Sequence, residues 1–327
     1  MNTLTPRWRN WQIHPHTNAE VMKLANMYGS EPYAARLEGS SPSLGTKNRN
    51  PRTRNNNLSM EYKEFLTKTL KESSKIANDY FGKVTGTTKP GDNNQVLTKA
   101  DLAIGKKIIS FIKKSYPTYN IIDEEAGVID NNSEFTWVID PIDGTSNFAE
   151  GVVTYGIIIG LLKNNIPIAG GVALPSFSEI YVAEKSKGTL LNNKKIKIKK
   201  GGTLLSSLVA YGIDGHQENP SITEEECKLL AKIVLGIRSL RVSGCIFDAM
   251  MVAKSKYGAF LGKSSKIWDH VGVQVVIKEA GGIYTDFYGK PINYTNPLKR
   301  TTENYTWCMA TSKLHREVQK IIHNNTK

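Results

Sequence analysis

A chain of 327 residues, 39% of them hydrophobic, can bury one large core or two of ordinary size, and it carries a formal net charge of +13. Its three cysteines, Cys227, Cys245 and Cys308, are scattered and form no C-x-x-C pair, so neither a cysteine zinc site nor a disulfide framework is indicated, and a reducing, cytoplasmic setting is expected. No apolar run reaches the roughly 18 residues of a membrane span, and no signal-peptide core opens the chain.

Residues 1–59 are unlike the rest. Eight Lys/Arg against three Glu give them +5, and Gly39 to Asn57 has almost no apolar side chain. Such a segment cannot offset its ordering entropy, so 1–59 reads as a basic, largely disordered extension, with one short helix over 19–28. Glu20, Glu31 and Glu38 weaken a transit-peptide reading, and Met60 is a candidate true start. From Met60 onward, 35 Lys/Arg face 27 Asp/Glu, or +8. A surface of this kind can steer an anionic substrate or bind nucleic acid; the plainer alternative is a lysine-rich solvated face. The run Lys194–Lys200 illustrates the plainer case, alternating outward lysines with isoleucines and offering no aromatic for base stacking.

The periodic pattern begins at Met60. Leu66, Leu70, Ile76 and Tyr80-Phe81 mark an amphipathic helix to about residue 82, followed by a polar loop from Gly86 to Asn94. Ile104, Ile108, Ile109 and Ile112 share one face of a second helix, which ends before Tyr116-Pro117. Ile121-Ile122 is a short strand delivering Glu124-Glu125. Strands are expected at 137–139, 153–162 and 166–174, the last two joined at Asn164-Asn165, and then at 180–184 and 195–199 in a mostly antiparallel sheet. From Leu204 strands and helices alternate: strand 205–211, helix 223–235 capped by Ser221 or Thr223, strand 239–242, helix 247–254, strand 257–261, helix 269–280 stopped by Gly281-Gly282. Strands at 283–286 and 306–310 and a helix over 313–323 complete an α/β layer.

The stretch Trp137-Val-Ile-Asp-Pro-Ile-Asp-Gly-Thr145 carries the chemistry. A buried strand ends on Asp140, Pro141 forces a break, and Gly144-Thr145 open a helix. That turn can aim the Asp140 and Asp143 carboxylates and the Ile142 carbonyl at one point, a hard-oxygen set that suits Mg²⁺ rather than zinc. The Gly144 and Thr145 amides then face a place where an anion is welcome. An ordinary Asp/Gly turn capping a helix would look the same. Asp269, ahead of an apolar helix, reads equally as an N-cap, and Glu124-Glu125 as a solvated acidic turn. Together they put four acids at strand and helix junctions, where layered α/β proteins place their sites.

In these features the chain resembles the inositol monophosphatase superfamily, lithium-sensitive Mg²⁺-dependent phosphatases. The resemblance rests on Trp137–Thr145, on Trp268-Asp269 followed ten residues later by Glu279-Ala-Gly-Gly282, on Glu124-Glu125, on Thr98-x-x-Asp101 and on Gly188-x-x-x-Asn192. It covers roughly Met60 to Lys327. It implies an αβαβα layered sandwich of mixed α+β and α/β class, with an α+β half over 60–205 and an α/β half over 206–327. It further implies that Glu124, Asp140 and the Ile142 carbonyl hold one Mg²⁺, and that Asp140, Asp143 and Asp269 hold a second. A third, weaker ion would sit at Glu124. Gly144 and Thr145 amides would hold the phosphate, and Asp101 with the Thr145 hydroxyl would deprotonate a metal-activated water. Glu125, Ser146, Gly244 and Cys245 are expected behind the ligands or against the substrate, with His270 as a bystander. The expected partners are a small phosphorylated substrate and a second copy of the chain.

Departures bear on substrate. Gly244-Cys245 stands where the family often has Gly-Thr or Gly-Ser. Gly262 and Lys263 stand where inositol phosphatases can carry an acid that meets sugar hydroxyls, Gly105 replaces a common glutamate, and His270-Val271 replaces small residues. The expected activity is hydrolysis of inositol monophosphate or a similar small polyol or sugar phosphate. The alternatives are histidinol phosphate, fructose 1,6-bisphosphate or a nucleotide 3′-phosphate as substrate, and, in another class, an RNA- or ribosome-associated binding protein.

Overall fold

Apolar residues three and four apart turn Tyr62–Tyr80 into α1, which buries Phe65, Leu66, Leu70 and Ala77 along one stripe. The computed structural model describes residues 61–89 and 96–325, so the expectations for 1–59 and for a start at Met60 lie outside the described residues. Part of the expected polar loop is strand: Thr87–Thr88 (β1) pairs with Val96–Leu97 (β2). Helix α2, Lys99–Ser115, starts on a capping box in which Thr98 and Asp101 satisfy each other's end of the first turn. It buries Ile104, Ile108 and Ile112 and stops at Tyr116, before Pro117.

The first sheet has eight strands: Asn120–Asp123 (β3), Gly127–Ile129 (β4), Phe135–Asp143 (β5), Gly156–Lys163 (β6), Ile166–Leu174 (β7), Glu179–Glu184 (β8), Gly188–Leu191 (β9) and Lys194–Ile196 (β10). Their spatial order is β10-β9-β8-β7-β6-β5-β3-β4, antiparallel throughout except for the parallel β3–β5 pair. Asn164 and Asn165, both with positive φ, make the β6–β7 turn, and Asn192-Asn193 repeat the device at β9–β10. Strand β9 was not among the expected elements, although the Asn-Asn pair is the signal that finds it. Pro141 does not end β5: the strand runs on to Asp143, and its pairing with β6 shifts register between Asp140 and Asp143. Such an irregularity is where a sheet accommodates a residue with no N–H.

The second sheet is built from Leu208–Gly212 (β11), Ser239–Arg241 (β12), Ala259–Gly262 (β13), Ile283–Thr285 (β14) and Trp307–Ala310 (β15), in the order β12-β11-β13-β15-β14. Its connecting helices follow Thr145–Ala149 (α3) in the chain. They are Pro220–Leu235 (α4), Ile246–Ala253 (α5), Val271–Glu279 (α6) and Ser312–Asn325 (α7). Helix α4 begins earlier than expected, on Asn219 with Pro220 at the first position, because the proline ring presets the helical φ. Thr223 is used otherwise: its hydroxyl accepts from the His216 amide at 2.8 Å.

The hydrophobic clusters stack these parts into five layers. Helices α1 and α2 cover one face of the first sheet, α5 and α6 lie between the sheets, and α4 and α7 cover the outer face of the second. This is the layered αβαβα sandwich. Helix α6 approaches the first sheet backbone to backbone. A Cβ on Gly272 would lie 2.6 Å from the Ile159 carbonyl, and Cβ atoms on Gly160 or Gly170 would run into the Gly272 backbone. Among the described residues no helix is long and apolar enough to cross a membrane.

Candidate active site

The irregularity at Pro141, near the end of the interior strand β5, helps put three acids in one place. Strand β5 delivers Asp140 and Asp143, and the 3-10 turn Ile267–Asp269 delivers Asp269 from the start of the inter-sheet layer. One carboxylate oxygen from each lies within 4.8 Å of the others. Asp269 is not the N-cap of α6, a position that falls to His270; its carboxylate accepts from the Lys266 amide at 2.7 Å within the 3-10 turn. Asp143 accepts from the Ile246 amide, the first of α5.

These acids line a cavity of about 960 Å³. Of the other expected residues, Glu124, Ile142, Gly144, Thr145, Ser146 and Gly244 share that wall. Asp101, Glu125 and Cys245 do not. Cys245 is buried beside the site, donating to the Thr154 carbonyl at 3.1 Å and lining a smaller cavity with Asp143 and Asp269. Gly144 takes φ +82°, a left-handed conformation open to glycine, and it caps α3. A Cβ there would meet Cys245 Cβ at 3.1 Å.

Asp101 divides its two oxygens. Oδ2 accepts from the Thr98 amide at 2.8 Å and the Thr98 hydroxyl at 2.5 Å, while Oδ1 faces the Thr145 hydroxyl at 3.3 Å. The Thr145 hydroxyl also reaches the Ile142 carbonyl at 2.8 Å. The helix cap and the approach to the cavity are thus served by one carboxylate.

Burial dominates the electrostatics. It holds Asp140 and Asp269 well above the ordinary carboxylate range, with Glu124 and Asp143 the next causes respectively, and it pushes Asp143 up to about 7. Burial raises Asp101 as well, against the bonds from Thr98. Asp140 Oδ1 is buried with no hydrogen-bond partner. Three clustered acids, Asp140 buried with an orphaned oxygen and Asp143 and Asp269 half-buried, cannot all ionise unless a cation is shared between them. The donor set is all oxygen, so the cluster can hold a hard divalent ion.

Further side chains surround the site beyond those expected to act in it. Lys89 Nζ bridges Glu124 at 2.9 Å and Glu125 at 2.6 Å. Burial lowers the lysine pKa, but the two carboxylates outweigh it and the ammonium is stabilised. One lysine among many in a polar loop gives no signal. Asp248 was detectable as the lone acid of the apolar run Ile246–Ala253. It is buried and accepts from the Ser243 and Gly244 amides at 3.2 Å, holding the turn that carries Gly244. His270 stays outside the acid-lined cavity, and its ring is tied into the surrounding structure. Its Nδ1 lies 2.9 Å from the Tyr284 hydroxyl and its Nε2 2.5 Å from Ser265 Oγ, which donates to the Tyr305 carbonyl at 2.8 Å.

Comparison with known proteins agrees with this geometry. A model of the inositol monophosphatase family matches residues 59–326. The fructose-1,6-bisphosphatase/inositol-1-monophosphatase of Aquifex aeolicus is 29% identical over 250 residues, covering 74% of this chain and 92% of that protein. Nus factor SuhB of Vibrio cholerae is 30% identical over 226 residues, covering 68% of this chain and 80% of its own length. The solved structure of a Thermotoga maritima IMPase superposes with a TM-score of 0.71 at 25% identity, covering 81% of this chain and 98% of that one. With its fold, its acid cluster and nearly all of its described length accounted for, the chain belongs to the inositol monophosphatase family and is a phosphoric monoester hydrolase.

Proposed function

We propose that the chain is a Mg²⁺-dependent phosphomonoesterase acting on inositol monophosphate or a similar small polyol or sugar phosphate. The observation that carries this reading is the orphaned Asp140 oxygen among three carboxylates whose oxygens lie within 4.8 Å. In this reading Asp140, Asp143 and Asp269 hold one ion, while Glu124, Asp140 and the Ile142 carbonyl hold another; Glu124 also serves a third. Bound Mg²⁺ supplies the positive charge that stabilises phosphoryl oxygens and the attacking and leaving groups. The chain itself handles the proton. Thr145 passes it from a water in the cavity to Asp101 Oδ1, the oxygen that Thr98 leaves free. The Gly144 and Thr145 amides orient the phosphate, with Ser146 and Gly244 beside it. The family resemblance points to a homodimer as a candidate working form, which light scattering tests.

Phosphate release from a panel of inositol monophosphate, fructose 1,6-bisphosphate, histidinol phosphate and a nucleotide 3′-phosphate tests the substrate assignment. Millimolar-range Mg²⁺ should be required, since this ion is reluctant to shed water for few protein ligands, and lithium should inhibit. Full activity in excess chelator would refute the metal role. A second reading, that the chain also binds nucleic acid, draws on relatives named Nus factor SuhB and on the net charge of +13. RNA that stays bound in high salt would support it.

A further inference from the structure

Glycine at position 105 lies inside α2, where it costs about 1 kcal/mol relative to alanine, so its presence needs a cause. The cause is a neighbour. A Cβ on Gly105 would meet Asp123 Oδ2 at 3.0 Å, Pro141 Cγ at 3.3 Å and Asp123 Oδ1 at 3.4 Å. Asp123 is 1% exposed, and its Oδ2 has no hydrogen-bond partner. Its Oδ1 accepts from the Glu125 amide at 3.0 Å and the Ala126 amide at 2.7 Å. With one oxygen clamped by two amides, the carboxylate cannot retreat from an added methyl without releasing the turn.

That turn presents Glu124, whose amide is tied to the Ile139 carbonyl of β5 at 3.1 Å. Gly105 lies one helical turn beyond Asp101, on the same face of α2. Pro141 directly follows Asp140. A single contact therefore joins the three elements that carry Asp101, Glu124 and Asp140.

We propose that Asp123 is a positioning residue for these acids and that Gly105 is the socket that admits it, an inference that rests on the metal-holding role assigned above to Glu124 and Asp140. Gly105 and Asp123 are then one coupled feature. The side chain that α2 lacks at Gly105 leaves the space that β3 fills with a carboxylate.

The test is a double-substitution cycle on the full chain: wild type, Gly105→Ala, Asp123→Ala and the double variant, with Asp123→Asn alongside. Each is read in two ways, by the Tm of the metal-free protein and by the Kd for Mg²⁺ alone from calorimetry. Alanine is the better helix former, so a merely helical Gly105 predicts a raised Tm in Gly105→Ala. The coupled arrangement predicts instead a lowered Tm and Mg²⁺ binding weakened about tenfold or more, the usual cost of disturbing a residue that orients metal ligands. In the Asp123→Ala background the same change should raise Tm and weaken Mg²⁺ no further. Asp123→Asn keeps an oxygen for both amides and should bind Mg²⁺ more tightly than Asp123→Ala. Equal losses in those two would assign the effect to charge and overturn the positioning role. Wild type that binds Mg²⁺ beside a Gly105→Ala variant with unchanged Kd, or losses that simply add in the double variant, would overturn this inference alone. Wild type that binds no Mg²⁺ would overturn the functional reading as well.

Discussion

Asp269 and His270 are adjacent in sequence, the first half-buried and the second buried, and their surroundings are opposite in kind. His270 sits in a closed chain of hydrogen bonds. Tyr284 donates to Nδ1, Nε2–H donates to Ser265 Oγ, and Ser265 donates to the Tyr305 carbonyl. That chain needs a neutral ring protonated on Nε2, and burial holds the pKa of His270 down at about 3. Asp269 belongs to a cluster of acids in which burial, and after it the charge of Asp143, holds its carboxyl well above the ordinary range, and in which an Asp140 oxygen has no partner. Buried polarity that is fully partnered specifies structure; buried polarity left unpaired marks a place for something the chain does not itself supply.

The largest test of this contrast is Asp140→Asn. It should lower kcat by at least about 10³, the scale of losing a major charge-stabilising group, while leaving the metal-free protein at least as stable, because a repelled carboxylate has gone. A stable variant with near-normal turnover would remove Asp140 from the site. Next in size, Asp101→Asn should slow turnover by about 10² or more, the contribution of a positioned proton acceptor, with Mg²⁺ affinity by calorimetry little changed. A matched loss of affinity would recast Asp101 as part of the cation site.

The partnered side of the contrast predicts the reverse pattern. Tyr284→Phe leaves His270 Nδ1 without its donor and should cost about 1–3 kcal/mol in unfolding free energy, with kcat within about threefold. Should kcat fall by orders of magnitude at unchanged stability, the distinction between the two clusters would fail.

The smallest effect is in pH. Asp143, at about 7 when folded, takes up its proton well above the ordinary aspartate value of 3.8. Asp123, at about 6, behaves alike. The folded state then binds more protons than the unfolded one, so their contribution to stability is present below about pH 4 and lost as pH rises through about 6 to 7. The Tm of metal-free protein should fall by several degrees across that window, and saturating Mg²⁺ should flatten the slope by binding the ionised form. A Tm that rose through the window without metal would show the acids to be compensated from within the chain.

Much of this was legible beforehand because the signals are local. The Trp137–Thr145 run announces strand, acids and turn within nine residues, and Asn164-Asn165 fixes a hairpin by its own backbone preference. The acids at 124, 140, 143 and 269 could be gathered only because two separated motifs matched one family. What stayed hidden depends on distant pairing. Lys89 meets Glu124 and Glu125 across 35 and 36 residues, and His270 completes its chain through Tyr284 and Tyr305. Pro141 misled for a different reason: a lone proline reads as a strand end, and only the neighbouring strand reveals that the register shifts around it.

The bare backbone where α6 rests on the first sheet has a consequence for how variation in this protein should be surveyed. Truncation to alanine reports what a side chain contributes, and at Gly160, Gly170 and Gly272 there is nothing to truncate. Yet α6 begins two residues after Asp269, so its seating on β6 and β7 bears on where that residue stands relative to Asp140 on β5. A map of sensitive positions drawn by deletion would leave this contact blank. Drawn by addition, one methyl at a time, it would rank these glycines among the most intolerant positions.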